Sequence, residues 1–170
     1  MNRISIPRVE GYHCFGCGTQ NPQGLDMTFY VFEGSVRSEL VLNGHHVGWE
    51  GIAHGGIVST ILDEIMGWTV IAFKRAFFVT RSMEVRYLRP VPIQMPLTAV
   101  GRMAEGSEAG ERGCKVTGSL LDAQGNRLAE AQADMAFLSP KRLPMIPIGY
   151  RREMERLFQE IEKLLDSKKG

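Results

Sequence analysis

A histidine and two glycines stand directly before a long apolar segment, as His54-Gly55-Gly56. Glycine lets the backbone bend tightly. The first N–H groups of a helix lack intrahelical partners and lie at the positive end of the helix dipole. Such a helix start suits an anion, either a phosphate or the oxyanion of a tetrahedral intermediate. Glycine pairs before helices are common, so this pattern alone indicates anion binding and no particular reaction.

Asp63 lies within the apolar segment that follows, between Leu62 and Glu64. A carboxylate costs free energy to bury unless it is paired. Asp63 therefore either faces the surface or is retained for its chemistry. The side chain of Glu64 points about 100° away from that of Asp63 around a helix, and we expect it to be a surface or pairing acid.

The elements that must position these groups follow from the apolar patterns. Spacings of three and four over residues 57–74 predict one long helix buried on more than one side. Alternation and turn residues predict two strands before this helix and four after it, at 25–32, 36–42, 77–88, 97–104, 113–121 and 128–137. This order predicts an α+β fold in which a mostly antiparallel sheet wraps around the central helix.

The chain is expected to divide into an N-terminal arm at 1–24, a main domain at 25–138 and a C-terminal extension at 139–170. The arm is rich in Gly, Pro, Asn and Cys, which predicts irregular structure, and residues 43–53 are read as a loop. The extension begins with a proline-bearing linker. It continues at 151–168 as an amphipathic helix that folds back on the domain or on a partner subunit.

Composition excludes several classes of protein. Of the 170 residues, 44% are hydrophobic and 23% charged, which suits one globular domain and excludes a disordered or collagen-like chain. The net charge of +1 gives no basic surplus for a nucleic-acid partner. Asp63 and Glu64 interrupt the longest apolar stretch, and no secretory signal is recognised, so we expect no membrane insertion and a cytoplasmic location.

Cys14 and Cys17 have the spacing of half a zinc site. A structural zinc site needs four ligands, and no second pair of cysteines follows. A structured loop or lid is therefore favoured over a metal site, and we predict neither metal nor cofactor. The odd count of three cysteines argues against a closed disulfide framework. His45 and His46 are expected to be solvated or to lie at the rim of a substrate site.

The segment from His54 to Asp63 resembles the HGG-x6-D motif of the hotdog-fold acyl-CoA thioesterases, specifically their phenylacetyl-CoA-type subgroup. Residues 14–25 are similar to the N-terminal segment of that subgroup's close relatives, and residues 80–92 to the strand after the helix. The order of elements matches a hotdog fold with one additional N-terminal strand. The resemblance extends from about residue 14 to residue 138.

The resemblance implies a role for each matching residue. Asp63 is the catalytic carboxylate, as nucleophile or as general base on water. Gly55 donates its backbone N–H to the thioester oxygen with Gly56 assisting, and His54 orients the carbonyl or the loop. Thr80 is a strand hydroxyl that positions the attacking water or Asp63, although a shift of one residue would substitute Arg81 or Val79.

Other residues are candidates for substrate contact. Arg86 and Arg89 could meet the phosphates of coenzyme A, although exposed strand arginines are usually only solvated. An apolar acyl group needs a lined pocket, and large side chains near the helix can supply it. The candidates are Trp49, Met66, Trp68, Phe73, Phe77 and Phe78.

The distance between Gly55 and Asp63 predicts a shared site. Eight residues of helix separate them by about 12 Å, whereas both must lie near one thioester. We therefore expect a site composed of two subunits, and the resemblance implies a dimer or a dimer of dimers. Mixed dimers of Asp63→Asn and Thr80→Val subunits are then expected to regain activity.

Two classes of function remain open. One is hydrolysis of acyl-CoA thioesters, with apolar medium-chain or aryl acyl groups favoured. The other is a module that binds acyl-CoA without turnover, because fold does not determine function. A hotdog dehydratase is a third option, but no motif supplies its histidine. Asp63 together with residues 54–56 favours hydrolysis.

Overall fold

The computed structural model describes residues 3–105 and 112–167. The elements are β1 (Ile4–Ser5), β2 (Tyr30–Phe32), β3 (Ser35–Val41), β4 (Val47–Trp49), β5 (Ile52–Ala53), α1 (Gly55–Lys74), β6 (Phe78–Tyr87), β7 (Pro96–Met103), β8 (Gly113–Asp122), β9 (Arg127–Phe137) and α2 (Ile148–Asp166). A seven-stranded antiparallel sheet has the strand order β1-β2-β3-β7-β8-β9-β6, and β4 and β5 form a separate hairpin. This architecture confirms the predicted α+β class, with the sheet wrapped around a long central helix.

Helix α1 forms the centre of the core, and Ile61, Leu62 and Ile65 are fully buried against the sheet. It begins two residues earlier than predicted. By length and composition alone α1 could cross a membrane. The same property is expected of a core helix, and here the sheet covers it. Burial of its apolar surface, at about 25 cal/mol per Å², is what holds the sheet and helix together.

The N-terminal third differs from the predicted pattern. The strand predicted at 25–32 is shorter, because the N–H groups of Leu25 and Met27 donate to the carbonyls of Phe15 and Gly16 in the arm. The arm is not wholly irregular, since β1 pairs with β2. The loop predicted at 43–53 contains a 3₁₀ turn at Gly44–His46 and the β4–β5 hairpin.

Strand β6 is the end strand of the sheet. It pairs with β9, and in the described part of the chain no strand pairs with its other edge. The register with β9 shifts between Thr80 and Ser82, which marks a bulge at Arg81. A bulge inserts one extra residue and changes which side chains share a face. As a result Thr80 lies on the α1 side, together with Met83 and Val85, which pack on the core.

Helix α2 begins at Ile148, three residues before the predicted start, and its predicted end at 168 lies outside the described residues. It folds back on the domain, as one of the two alternatives predicted. Met154, Leu157 and Ile161 are buried, and Phe158 packs edge-on against Phe77 at 5.3 Å between ring centroids. The helix thereby closes the end of the core near the last turns of α1.

Candidate active site

His54 caps the N-terminus of α1. Its backbone is extended, with φ −64° and ψ 137°, and its Nδ1 accepts a 2.9 Å hydrogen bond from the Gly56 N–H. This hydrogen bond holds the His54 ring against the start of the helix, and a role of His54 in orienting the substrate carbonyl stays a prediction. The Gly56 N–H is thus engaged by His54, and its assistance at the thioester oxygen stays a prediction.

The Gly55 N–H remains available. The described residues contain no hydrogen-bond acceptor for it, as expected for the first residue of a helix. The Gly55 carbonyl accepts a 3.1 Å hydrogen bond from the Tyr87 hydroxyl, whose oxygen also lies 2.6 Å from Ser59 Oγ. Tyr87 thus ties the end of β6 to the first turn of α1, a positioning contact that the sequence analysis missed.

Asp63 and Thr80 form the second element of the site. Thr80 Oγ1 donates a 2.8 Å hydrogen bond to Asp63 Oδ1 and lies 3.5 Å from Met135 Sδ. Of the three neighbouring residues that the sequence left open, it is therefore Thr80 that contacts the carboxylate, not Val79 or Arg81. The hydroxyl fixes one carboxylate oxygen and leaves the other for water or substrate.

The two elements lie apart within one protomer. Asp63 is eight residues, or about 12 Å, along α1 from Gly55. Thr80 and Asp63, in contrast, contact one another in the same chain. The expectation that Asp63→Asn and Thr80→Val subunits would complement each other is therefore wrong, because both substitutions damage the same half of the site.

An apolar cavity of about 250 Å³ opens beside Asp63. Its walls come from α1, the start of β6, the N-terminal arm and α2. The lining includes Trp68, Phe77 and Phe78, as predicted, and also Tyr12, Met27, Phe29, Ile71, Tyr150, Met154 and Phe158. The arm and α2, which lie at opposite ends of the sequence, thus enclose one cavity with the central helix.

The remaining predicted substrate residues lie elsewhere. Trp49 is 82% exposed on the β4–β5 hairpin, and Met66 is fully buried in the core, so neither lines this cavity. Phe73 is also absent from its lining. Arg86 pairs with Glu130 at 3.1 Å, on the sheet face opposite to α1, and Arg89 is exposed just after β6. Roles for Arg86 and Arg89 at the coenzyme remain predictions.

Glu64 is a pairing acid rather than a surface acid. The Trp68 Nε1–H donates a 2.9 Å hydrogen bond to its Oε1, and Cys14 Sγ lies 3.7 Å from its Oε2. Burial raises the pKa of Glu64 to about 7. A hydrogen bond from Cys17 lowers the pKa of the Cys14 thiol to about 5. No sequence spacing links residues 14 and 64, so this cluster was not predicted.

Comparison with known proteins supports the resemblance. Residues 50–127 match the family model of the thioesterase superfamily. One solved thioesterase superfamily protein is 24% identical, with a TM-score of 0.64, over 75% of this chain, which spans only 60% of that protein. A search of curated proteins finds no match.

Two further solved structures have the same fold. A hypothetical thioesterase from Streptococcus pneumoniae TIGR4, solved with coenzyme A, is 23% identical over 63% of this chain and 83% of its own, with a TM-score of 0.57. It has also been solved with an aspartate or a threonine replaced by alanine. A phenylacetic acid degradation-related protein from Ralstonia eutropha JMP134 is 24% identical over 66% of this chain and 85% of its own, with a TM-score of 0.58. These solved structures confirm the hotdog fold, and the family model over residues 50–127 supports the resemblance to the thioesterase superfamily.

Proposed function

We propose that the protein hydrolyses acyl-CoA thioesters to a free acid and coenzyme A. The observation that carries the proposal is the Asp63 carboxylate, held by the Thr80 hydroxyl at the wall of an apolar cavity. The superfamily match and the coenzyme A bound to the Streptococcus pneumoniae protein support this substrate class. The aspartate and threonine variants of that protein involve the two residue types paired here.

The proposed reaction uses an ionised Asp63. As general base, Asp63 takes a proton from water while the water oxygen attacks the thioester carbon. The oxyanion accepts a hydrogen bond from a Gly55 N–H, the C–S bond breaks, and the coenzyme A sulfur takes the proton. As nucleophile, Asp63 would instead form an anhydride that water hydrolyses. Both routes need the charge on Asp63 and the donor at Gly55.

A dimer through β6 would bring the two elements of the site together. In an antiparallel pair of β6 strands with its two-fold axis near Glu84, Thr80 of one chain lies opposite the partner subunit's Tyr87. Within each chain the Tyr87 hydroxyl is hydrogen-bonded to the Gly55 carbonyl. This pairing of strands would therefore place the partner subunit's Gly55 near Asp63. Among the described residues no strand pairs with the outer edge of β6, and Val79, Tyr87 and the adjacent Leu88 are exposed there, which favours such an interface.

The cavity favours an apolar acyl group of medium length or with an aryl ring. Its lining is mostly aromatic and aliphatic, Asp63 and Glu64 contribute the carboxylates of its wall, and the Arg8 guanidinium in the lining is already paired with Asp26. A succinyl or malonyl group would place a second negative charge near these acids, which is unfavourable. Each additional buried methylene contributes about 0.8 kcal/mol, so specificity constants should rise several-fold per carbon until the cavity is full.

Release of free thiol from a panel of acyl-CoAs tests this proposal. Acetyl, hexanoyl, decanoyl, phenylacetyl, succinyl and malonyl thioesters are compared with wild-type and Asp63→Asn protein. We expect the wild-type protein to hydrolyse the apolar thioesters and the Asp63→Asn protein to lose this activity. A flat profile or a preference for malonyl would contradict the assigned cavity. Tight binding of acyl-CoA with no thiol released would favour the alternative, a non-catalytic binding module.

A further inference from the structure

The N-terminal arm lies across α1 at a cluster of possible metal ligands. One ligand atom each from Cys14, Cys17 and Glu64 lies within 4.8 Å of the other two. The two thiols come from one turn of the arm, whereas the carboxylate comes from the middle of the central helix. The structure therefore supplies the third ligand that the Cys-x-x-Cys spacing lacks.

The backbone of the arm is shaped for this contact. The Gly18 N–H donates a 3.0 Å hydrogen bond to the Cys14 carbonyl, which closes the turn between the two cysteines. A Cβ at Gly18 would lie 2.4 Å from Cys14 N. A Cβ at Gly16 would lie 2.5 Å from Glu64 Oε2. At Gly18 the clash is with backbone atoms, so the turn requires glycine there, whereas a side chain at Gly16 would displace the Glu64 carboxylate from its place against the turn.

The carboxylate is already oriented towards the thiols. The Trp68 Nε1–H holds Oε1, and Oε2 is left facing Cys14 Sγ at 3.7 Å. Hydrogen bonds of this kind to a ligating carboxylate fix its orientation in metal sites. In the described part of the chain no Lys or Arg forms an ion pair with Glu64. A half-buried acid without a cationic partner is costly, and a bound cation would offset that cost.

We propose that Cys14, Cys17 and Glu64 bind one Zn²⁺ ion, with water as the fourth ligand. Two thiolates and a carboxylate suit this borderline-soft, tetrahedral cation better than Mg²⁺ or Ca²⁺, which prefer all-oxygen sites. The ion joins the arm to α1 one residue beyond Asp63 and so fixes the wall of the apolar cavity. This inference is independent of the proposed thioester hydrolysis, because it concerns ligand atoms outside the reacting pair.

Titration of the reduced, chelator-treated protein with Co²⁺ tests the site, because thiolate–cobalt charge transfer gives a near-ultraviolet band that Zn²⁺ then abolishes. We expect one ion per chain by elemental analysis. Cys14→Ser, Cys17→Ser and Glu64→Gln should each weaken binding by at least about 10-fold, and Trp68→Phe by about 10-fold. Cys114→Ala is the matched control, since Cys114 is buried in β8 and outside the cluster.

Alkylation of the wild-type protein gives a second readout that needs no variant to fold. Zn²⁺ should protect Cys14 and Cys17 from a thiol reagent and leave the reactivity of buried Cys114 unchanged. The proposal is overturned if wild-type protein binds Co²⁺ no better than the Cys14→Ser/Cys17→Ser double variant. It is equally overturned if Zn²⁺ gives no protection, or if the two cysteines are recovered as a disulfide and the reduced form binds no metal.

Discussion

Thr80 Oγ1 donates a 2.8 Å hydrogen bond to Asp63 Oδ1, across 17 residues of sequence and from the end strand of the sheet to the central helix. The contact depends on the bulge at Arg81, which turns Thr80 to the α1 side while Glu84 and Arg86 line the opposite face. One extra residue in β6 therefore determines which side chain reaches the carboxylate.

Asp63→Asn should lower turnover of a hexanoyl thioester at least about 100-fold, the lower range for a positioned general base, with folding unchanged. Asparagine keeps the shape of the side chain and can still contact Thr80, but it can neither attack nor take a proton. Asp134→Asn is the matched control: it removes the same charge from β9, where Asp134 lies 3.8 Å from Arg81. Full activity in folded Asp63→Asn protein would exclude Asp63 as the catalytic carboxylate.

Thr80→Val should lower kcat by about 10- to 100-fold, because hydrogen bonds to charged groups contribute about 1.5–3 kcal/mol. Valine has a similar shape to threonine but no donor for Asp63 Oδ1. Thr80→Ser restores the hydroxyl and should keep most of the activity. Full activity in folded Thr80→Val protein would contradict a role for this hydrogen bond in catalysis.

Gly55→Pro tests the N–H donor without disturbing the helix. Proline is favoured at the first helical position, and the extended backbone of His54 is what a residue before proline adopts. Only the unpartnered N–H is lost, so kcat should fall about 100-fold or more while stability is maintained. Gly55→Ala keeps the N–H, and its Cβ would lie an unstrained 3.5 Å from Tyr87, so it should remain active. Thermal unfolding shows whether each variant keeps its stability, and thiol release shows whether loss of the Gly55 N–H alone lowers the activity.

His46 should make stability depend on pH. Burial lowers the pKa of His46 below its usual 6.5, with His45 adding to the effect, so the folded state binds this proton less well than the unfolded chain. The contribution of neutral His46 to the free energy of unfolding is therefore fully present above pH about 6.5 and decreases as the pH falls below that value. His46→Asn keeps an acceptor for the Asn43 N–H but does not titrate.

The difference between the wild-type and His46→Asn free energies of unfolding, measured from pH about 8 to about 5, isolates this effect from other titrating groups. His45→Asn, at an exposed neighbouring position, is the control and should change the profile less. A difference that does not vary with pH would contradict the assignment.

The sequence predicted the helix and the four strands after it, because these depend on local periodicity. The pairing of Thr80 with Asp63 was only implied by the family resemblance, which left residues 79, 80 and 81 open. It did not predict the bulge that selects Thr80 over Arg81. Alternation in β6 is interrupted there by one residue, and sequence alone gives no reason for the pleat to break at that point.

Contacts between distant segments were also missed. Cys14 and Glu64 are 50 residues apart and meet only because the arm folds across α1. Tyr87 looked like one more alternating strand residue, and its bond to Gly55 depends on where β6 ends relative to the helix. Trp49 was assigned to the pocket because of its size, yet it lies exposed on a hairpin that the sequence analysis read as a loop.

Subunit mixing tests the central claim, that Asp63 of one chain works with the partner subunit's Gly55. Asp63→Asn and Gly55→Pro proteins, each inactive alone, are exchanged in equal amounts and thiol release is measured. Half of the dimers are then mixed and carry one intact site of two, so about a quarter of the wild-type rate should return. Asp63→Asn mixed with Thr80→Val should show no gain above the separate proteins. No recovery with Gly55→Pro, after subunit exchange is demonstrated by mass, would contradict the account.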